Sequence, residues 1–244
     1  MTTFKNKVNK NVAVLQFDTD PDYNINLDRL VQAIKDNPQA DIIVAPEVVL
    51  TAFDYDNFDK ASDFYDKAIE TLCANIDNQI LALTLVRKTD NGIMNSAVII
   101  NRSKVVYIQD KVKLFTLGEE LKYFTAGKMD DILKFEIDGV VYGMLICFEL
   151  RFKEIWKKFE GCDVILVPSR WGLPRKSHIE VLSQALAVMN QCYVVLSNSA
   201  DSDMASSSSI VSPNGDLIID DSLDIILGKV DFKEIARIRR YIKM

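Results

Sequence analysis

The order of apolar runs constrains this chain's fold more than any other feature. A pattern of strand, helix, strand, helix and then three strands begins at Asn11 and begins again near Val140. In the first half, short β-branched runs at 11–17, 41–45, 79–86, 95–101 and 104–109 predict strands, and a 3.6-residue periodicity over 26–37 and 60–77 predicts helices. The second half repeats the order with strands at 140–146, 163–168, 192–198, 206–211 and 216–220 and helices at 150–159 and 177–190, after an additional strand at 132–137. The closing IILGKVDFKEIARIRRYIKM adds a last strand and a basic helix, whose Arg237, Arg239, Arg240 and Lys243 suit a solvated or subunit-contact face. Strand-helix-strand units followed by neighbouring strands put helices on one face of a sheet and leave the other face bare. Two such halves stacked bare face to bare face make an α/β fold of four layers, an α-β-β-α sandwich. Neither half covers its sheet alone, so residues 1–244 read as one domain.

Composition removes several function classes. Lys and Arg total 29 against 35 Asp and Glu, a net charge of -6 with no basic run to track phosphates, so a nucleic-acid partner is disfavoured. MTTFKNKVNKNVAVLQFDTD has no apolar signal-peptide segment and no stretch nears the ~18 apolar residues of a membrane span, so the expectation is a cytoplasmic protein without a membrane partner. His178 is the only histidine, which excludes sites built on two or three imidazoles, including most catalytic zinc sites. Cys73, Cys147, Cys162 and Cys192 form no C-x-x-C pair and read as free thiols.

Ligands in α/β sheets collect beyond the carboxyl ends of strands, so polar residues following apolar runs are the candidates. Glu47 follows DIIVAP, Lys111 follows KVVYIQD, and Cys147 follows VVYGMLI and opens a predicted helix. A thiol at a strand-to-helix turn lies near unpaired helix N–H groups, which favour the thiolate and make a nucleophile. Its base is either His178, inside a predicted helix, or a carboxylate brought toward neutrality by burial, a role for which Glu47 is placed. Lys111 would stabilise a developing oxyanion together with a backbone N–H.

PEVVLTAF at 46–53, DKVKLF at 110–115, EELKYFTAG at 119–127 and ICFELRF at 146–152 resemble, in order and separation, the glutamate, lysine, second-glutamate and cysteine motifs of the nitrilase superfamily of carbon–nitrogen hydrolases. DVILVPSRWG at 163–172 and NQCYVVLSN at 190–198 resemble its later segments, so the likeness spans Val12 to about Gly215. The resemblance implies a triad of Glu47, Lys111 and Cys147, with Glu120 as an auxiliary glutamate and the Phe148 amide joining Lys111 in the oxyanion hole. It also implies a sandwich that pairs into a homodimer, needs no metal or organic cofactor, and hydrolyses a small linear amide through a thioester on Cys147.

The chain departs from the family pattern at Lys113, where a histidine is usual, at Lys153 for a proline, at Gln184, Leu186 and Met189 on the helix before Asn190, and at Ser206 for a glycine. These changes bear on substrate and assembly and leave the four matched site positions intact. Arg170, Trp171 and Arg175 follow the strand at 163–168 on the same rim, where an arginine can pair with a substrate carboxylate. That favours an ω-amide of a dicarboxylic acid. N-carbamoyl amine hydrolysis by the same triad, a non-catalytic binding role and thiol redox chemistry at Cys147 are the competing readings.

Overall fold

The computed structural model describes residues 7–243. The elements are β1 (Lys10–Leu15), α1 (Tyr23–Asp36), β2 (Ile42–Val44), α2 (Phe58–Asp63), α3 (Tyr65–Asn75), β3 (Ile80–Thr89), β4 (Gly92–Asn101), β5 (Lys104–Asp110), α4 (Glu120–Tyr123), β6 (Phe135–Ile137), β7 (Val140–Met144), α5 (Lys153–Lys158), β8 (Val164–Ser169), α6 (Lys176–Asn190), β9 (Tyr193–Asn198), β10 (Ser209–Val211), β11 (Leu217–Ile219), β12 (Ile225–Val230) and α7 (Phe232–Tyr241). They form two six-stranded mixed sheets, ordered β12-β1-β2-β3-β4-β5 and β11-β10-β9-β8-β7-β6.

The two sheets obey one plan. In the first, β1, β2 and β3 run parallel and β3, β4 and β5 form an antiparallel meander. In the second, β7, β8 and β9 are the parallel trio and β9, β10 and β11 the meander. The strand that interrupts the sequence repeat also has a counterpart. β6 pairs antiparallel with β7, as β12 returns from the far end of the chain to pair antiparallel with β1.

Alternation along the strands builds the layers. Val12, Val14, Ile42, Val44, Ile80 and Ala82 face the second sheet and join one core with Tyr142, Met144, Val164 and Leu166. Ala13, Leu15, Ile43, Leu81 and Leu83 point the other way, onto Leu27, Leu30 and Ile34 of α1 and Ala68 and Leu72 of α3. α5 and α6 cover the second sheet with Ile155, Ile179, Leu186 and Ala187. Strands buried on both faces read as near-continuous apolar runs, which is why DIIVA and DVILV lack alternation. The helices start conventionally: Asp22 accepts the Asn24 N–H at 2.9 Å and Asp231 the Lys233 N–H at 2.9 Å, capping α1 and α7.

Four local expectations are corrected. The helix expected over 60–77 divides into α2 and α3 at Phe64, whose ring packs edge-on to Tyr23 at 5.5 Å. The strand expected over 206–211 begins only at Ser209, because Ser206 and Ser207 take left-handed φ of 53° and 59°. Ser206 thus occupies a conformation natural to the glycine usual at that position. The helix expected over 150–159 is preceded by a 3-10 turn over Cys147–Arg151 and begins at Lys153, a first helical position where proline is well suited. The strand expected over 79–86 continues to Thr89, carried by its ladder with β4.

Candidate functional site

Glu47, Lys111, Glu120 and Cys147 converge in the interior, all at least nine-tenths buried. The turn after β2 brings Glu47 there, and its N–H donates to the Ser169 carbonyl at 3.1 Å, tying β2 to the end of β8 in the other sheet. Lys111 directly follows β5, and its N–H donates to the Asn95 carbonyl at 2.8 Å. Lys111 Nζ donates to Glu47 Oε1 and to Glu120 Oε1, each at 2.7 Å. Asn95 Nδ2 donates to the same Glu47 oxygen at 2.9 Å, and the Phe115 N–H donates to Glu120 Oε2 at 3.1 Å. Glu47 Oε2 has no hydrogen-bond partner with good geometry, and Cys147 lies against this carboxylate.

Backbone strain marks the same place. Cys147 has φ 49°, Val48 φ 44°, Ala52 φ 50° and Glu119 φ 59°. For a β-branched valine this region is an outlier, and a non-glycine residue pays roughly 1–2 kcal/mol to occupy it. Val48 is held there by its N–H donating to Thr84 Oγ1 at 2.7 Å. Strained residues persist where surrounding contacts over-determine them, as they do at binding and catalytic sites.

Charge states follow from burial and partners. Burial by itself would lower the Lys111 ammonium, but the neighbouring Glu47 and Glu120 carboxylates outweigh it and hold the group above the ordinary lysine range. Burial pushes Glu120 up, against the pull of Lys111, and the charge of Glu47 adds to the push. Burial raises the Cys147 thiol well above its ordinary value, and the Glu47 carboxylate raises it further; the Lys111 ammonium and the Arg170 N–H oppose this. The expected helix-terminus thiolate is therefore corrected: the turn at Cys147 is too short and too buried to supply one, and the resting group is a thiol. Glu149 shares the turn, pushed up to about 7 by burial while its Oε1 and Oε2 accept from the N–H groups of Val112 at 2.7 Å and Ile146 at 2.8 Å.

Above Cys147 lies a small cleft walled by Phe115, Phe148, Arg151, Arg170, Trp171 and Arg175. The three residues expected on this rim do reach it, but in different states. Arg170 is ion-paired with Asp201 and donates to Thr19 Oγ1 at 2.9 Å. Trp171 is buried beneath Arg151, whose guanidinium lies 4.6 Å above its ring, and its Nε1 is sealed without a partner. Arg175 stacks over Phe115 at 5.2 Å. Lys113 turns away to meet Glu154 at 3.1 Å and the Phe152 ring at 4.6 Å; strand alternation would have put it on the face of Lys111, but β5 ends at Asp110, before both lysines.

Sequence reasoning missed Asn95, Glu149 and Arg151. Polar residues beside or within apolar runs, in MNSAV and ICFELRF, were the available signal for the first two. The aromatic floor was also missed: Tyr55 stacks on Tyr123 at 4.0 Å, and Phe53 lies 5.9 Å from Lys111 Nζ. Among the described residues no group of three His, Cys, Asp or Glu side chains is arranged to hold a metal ion. No described helix is long and apolar enough to cross a membrane.

Two stacked mixed sheets flanked by helices, with a buried Glu-Lys-Glu network against a cysteine at a strained strand end, define a nitrilase-type protein. The chain matches the carbon-nitrogen hydrolase family over residues 11–240 and belongs to that family. It is 28% identical over 221 residues to the 2-oxoglutaramate amidase of Bacillus subtilis (strain 168), covering 85% of either chain. Its fold superposes with a TM-score of 0.86 on a CN-hydrolase superfamily protein of Xanthomonas campestris that carries an arsenic adduct in its active site, at 20% identity over 97% of this chain and 96% of that one. An amidase from Nesterenkonia sp. AN1 gives a TM-score of 0.82 at 18% identity, with 95% and 94% covered. In a mutant of that enzyme the acetamide moiety of fluoroacetamide is attached to the active-site cysteine.

Proposed function

We propose that this protein is an amidase that hydrolyses the ω-amide of a small dicarboxylic acid to the acid and ammonia. The observation that carries this reading is the sealed network in which Lys111 bridges Glu47 and Glu120 beside the Cys147 thiol at the floor of an arginine-walled cleft.

Glu47 accepts the Cys147 proton as the sulfur attacks the amide carbon, and the oxyanion that forms is stabilised by the Lys111 ammonium and the Phe148 amide. Because the resting cysteine is a thiol, proton transfer and attack are coupled, and Glu47 is required for the nucleophile to exist. Glu47 then protonates the nitrogen, the C–N bond breaks, ammonia leaves, and a thioester remains on Cys147. A water gives its proton to Glu47 and attacks the thioester; collapse returns the proton to sulfur and frees the carboxylic acid. Glu120 keeps Lys111 in place through both halves. The relative from Bacillus subtilis acts on an ω-amide, which fits a cleft whose walls are cationic and aromatic.

The test is ammonia release from a panel of ω-amides, N-carbamoyl amines and aliphatic amides, with the wild type beside Cys147→Ala. The expected result is turnover of an ω-amide that disappears in the variant while its unfolding transition stays unchanged. Undiminished turnover in Cys147→Ala would overturn the scheme.

A further inference from the structure

His178 makes a hydrogen bond that the mechanism above does not use. Its Nδ1 lies 3.0 Å from a terminal nitrogen of Arg151. A guanidinium only donates, so in this contact Nδ1 is the acceptor. His178 belongs to the first turn of α6, and Arg151 closes the turn that Cys147 opens. The bond therefore anchors a flexible side chain of the cysteine turn to a helix of the second sheet's cover. The Trp171 ring holds the same guanidinium from one face at 4.6 Å.

The charge balance of the cleft shows what this anchoring serves. None of its lining residues is an acid. Arg170 is neutralised by Asp201. Arg151 and Arg175 rest on aromatic rings, and neither has a carboxylate partner among the described residues. In a chain of net charge -6, a cleft with two uncompensated guanidiniums favours an anionic ligand. Of the two arginines expected on sequence to offer a substrate carboxylate a partner, Arg170 is the less free to do so.

We infer that Arg151 binds the carboxylate at the far end of the substrate and that His178 is the positioning residue that holds its guanidinium ready. This rests on the amidase reading and gives that site its anion subsite. A long arginine at an exposed cleft mouth loses rotamer freedom when it binds, and an acceptor already in place removes part of that cost.

The experiment compares succinamate with butanamide, which has the same reacting amide and no carboxylate. The readout is the ratio of their kcat/KM values. Arg151→Gln lowers the ratio on the order of 10–100-fold, the worth of a charge-assisted hydrogen bond. His178→Leu raises KM for succinamate about 3–10-fold with kcat little changed, the scale of ordering one long side chain. His178→Asn, which keeps an acceptor near the Nδ1 position, restores most of that loss. A ratio unmoved by Arg151→Gln overturns the inference, as does a His178→Leu defect equal for both substrates or an Asn variant no better than Leu. If the wild type hydrolyses neither compound, the amidase reading is at fault, and calorimetric titration of succinamate into Cys147→Ala decides the subsite separately. Binding that His178→Leu weakens and His178→Asn restores supports it; no binding, or binding that neither variant alters, overturns it.

Discussion

Replacing Lys111 with methionine tests the electrostatic core of the site. The side chain is fully buried and its Nζ touches two carboxylate oxygens at 2.7 Å each, so methionine keeps the volume and removes the only charge between them. Two oxygens each that far from one nitrogen are no more than about 5.4 Å apart, and at an effective dielectric of about 20 two full charges there repel by about 3 kcal/mol. Breaking a buried ion pair by removing one partner costs roughly 3–5 kcal/mol, a consistent scale. For a chain of this length the unfolding midpoint falls by roughly 6–20 °C. The sign with pH follows. Burial already raises Glu120, and without the ammonium, which pulls the other way, Glu120 is raised further above its unfolded value. The folded variant then binds more protons than the unfolded chain, so its stability is greatest below the ordinary carboxylate range and is lost as pH rises through the raised value. Urea unfolding of Lys111→Met and wild type at about pH 5 and about pH 8 is therefore expected to show a small deficit at the lower pH and the full deficit at the higher. A deficit equal at both pH values, or below about 1 kcal/mol at the higher, would refute the reasoning, because it would mean that the carboxylates do not depend on the lysine.

Two further outcomes follow from the same coordinates. Alkylation of Cys147 by iodoacetamide should accelerate with pH beyond the ordinary thiol value of 9.0, since burial and Glu47 hold the proton on sulfur; a rate already level near neutrality would show a preformed thiolate. Gly143→Ala in β7 would place a Cβ 2.6 Å from Cδ1 of the buried Phe159, an overpacking worth roughly 1–3 kcal/mol, so a midpoint within a degree of wild type in thermal denaturation would show that the ring can yield.

Much of the fold was legible because the relevant forces are local and periodic. The duplicated order of strands and helices and the apolar strands of the interior follow from which side chains must be buried. Three strand ends pointed to Glu47, Lys111 and Cys147 by the same logic. Glu120 came from the motif resemblance alone, since nothing in the periodicity of EELKYF distinguishes it from the exposed Glu119 beside it.

The remaining properties depend on elements far apart in the chain, and only the tertiary structure decided them. β6 looked like an interruption of the repeat until β12 crossed the chain to take the matching edge of the other sheet. The helix end expected to ionise Cys147 is outweighed by the burial that the two sheets impose together. Arg170, expected on the rim from the sequence, and Arg151, which the sequence did not single out, both line the cleft. One is ion-paired with Asp201, while the other has His178 and Trp171 for partners and no carboxylate among the described residues, because groups distant in sequence approach them in space. Local sequence determines which side chains reach the rim; whether a carboxylate compensates the charge of each depends on what the rest of the fold sets beside it.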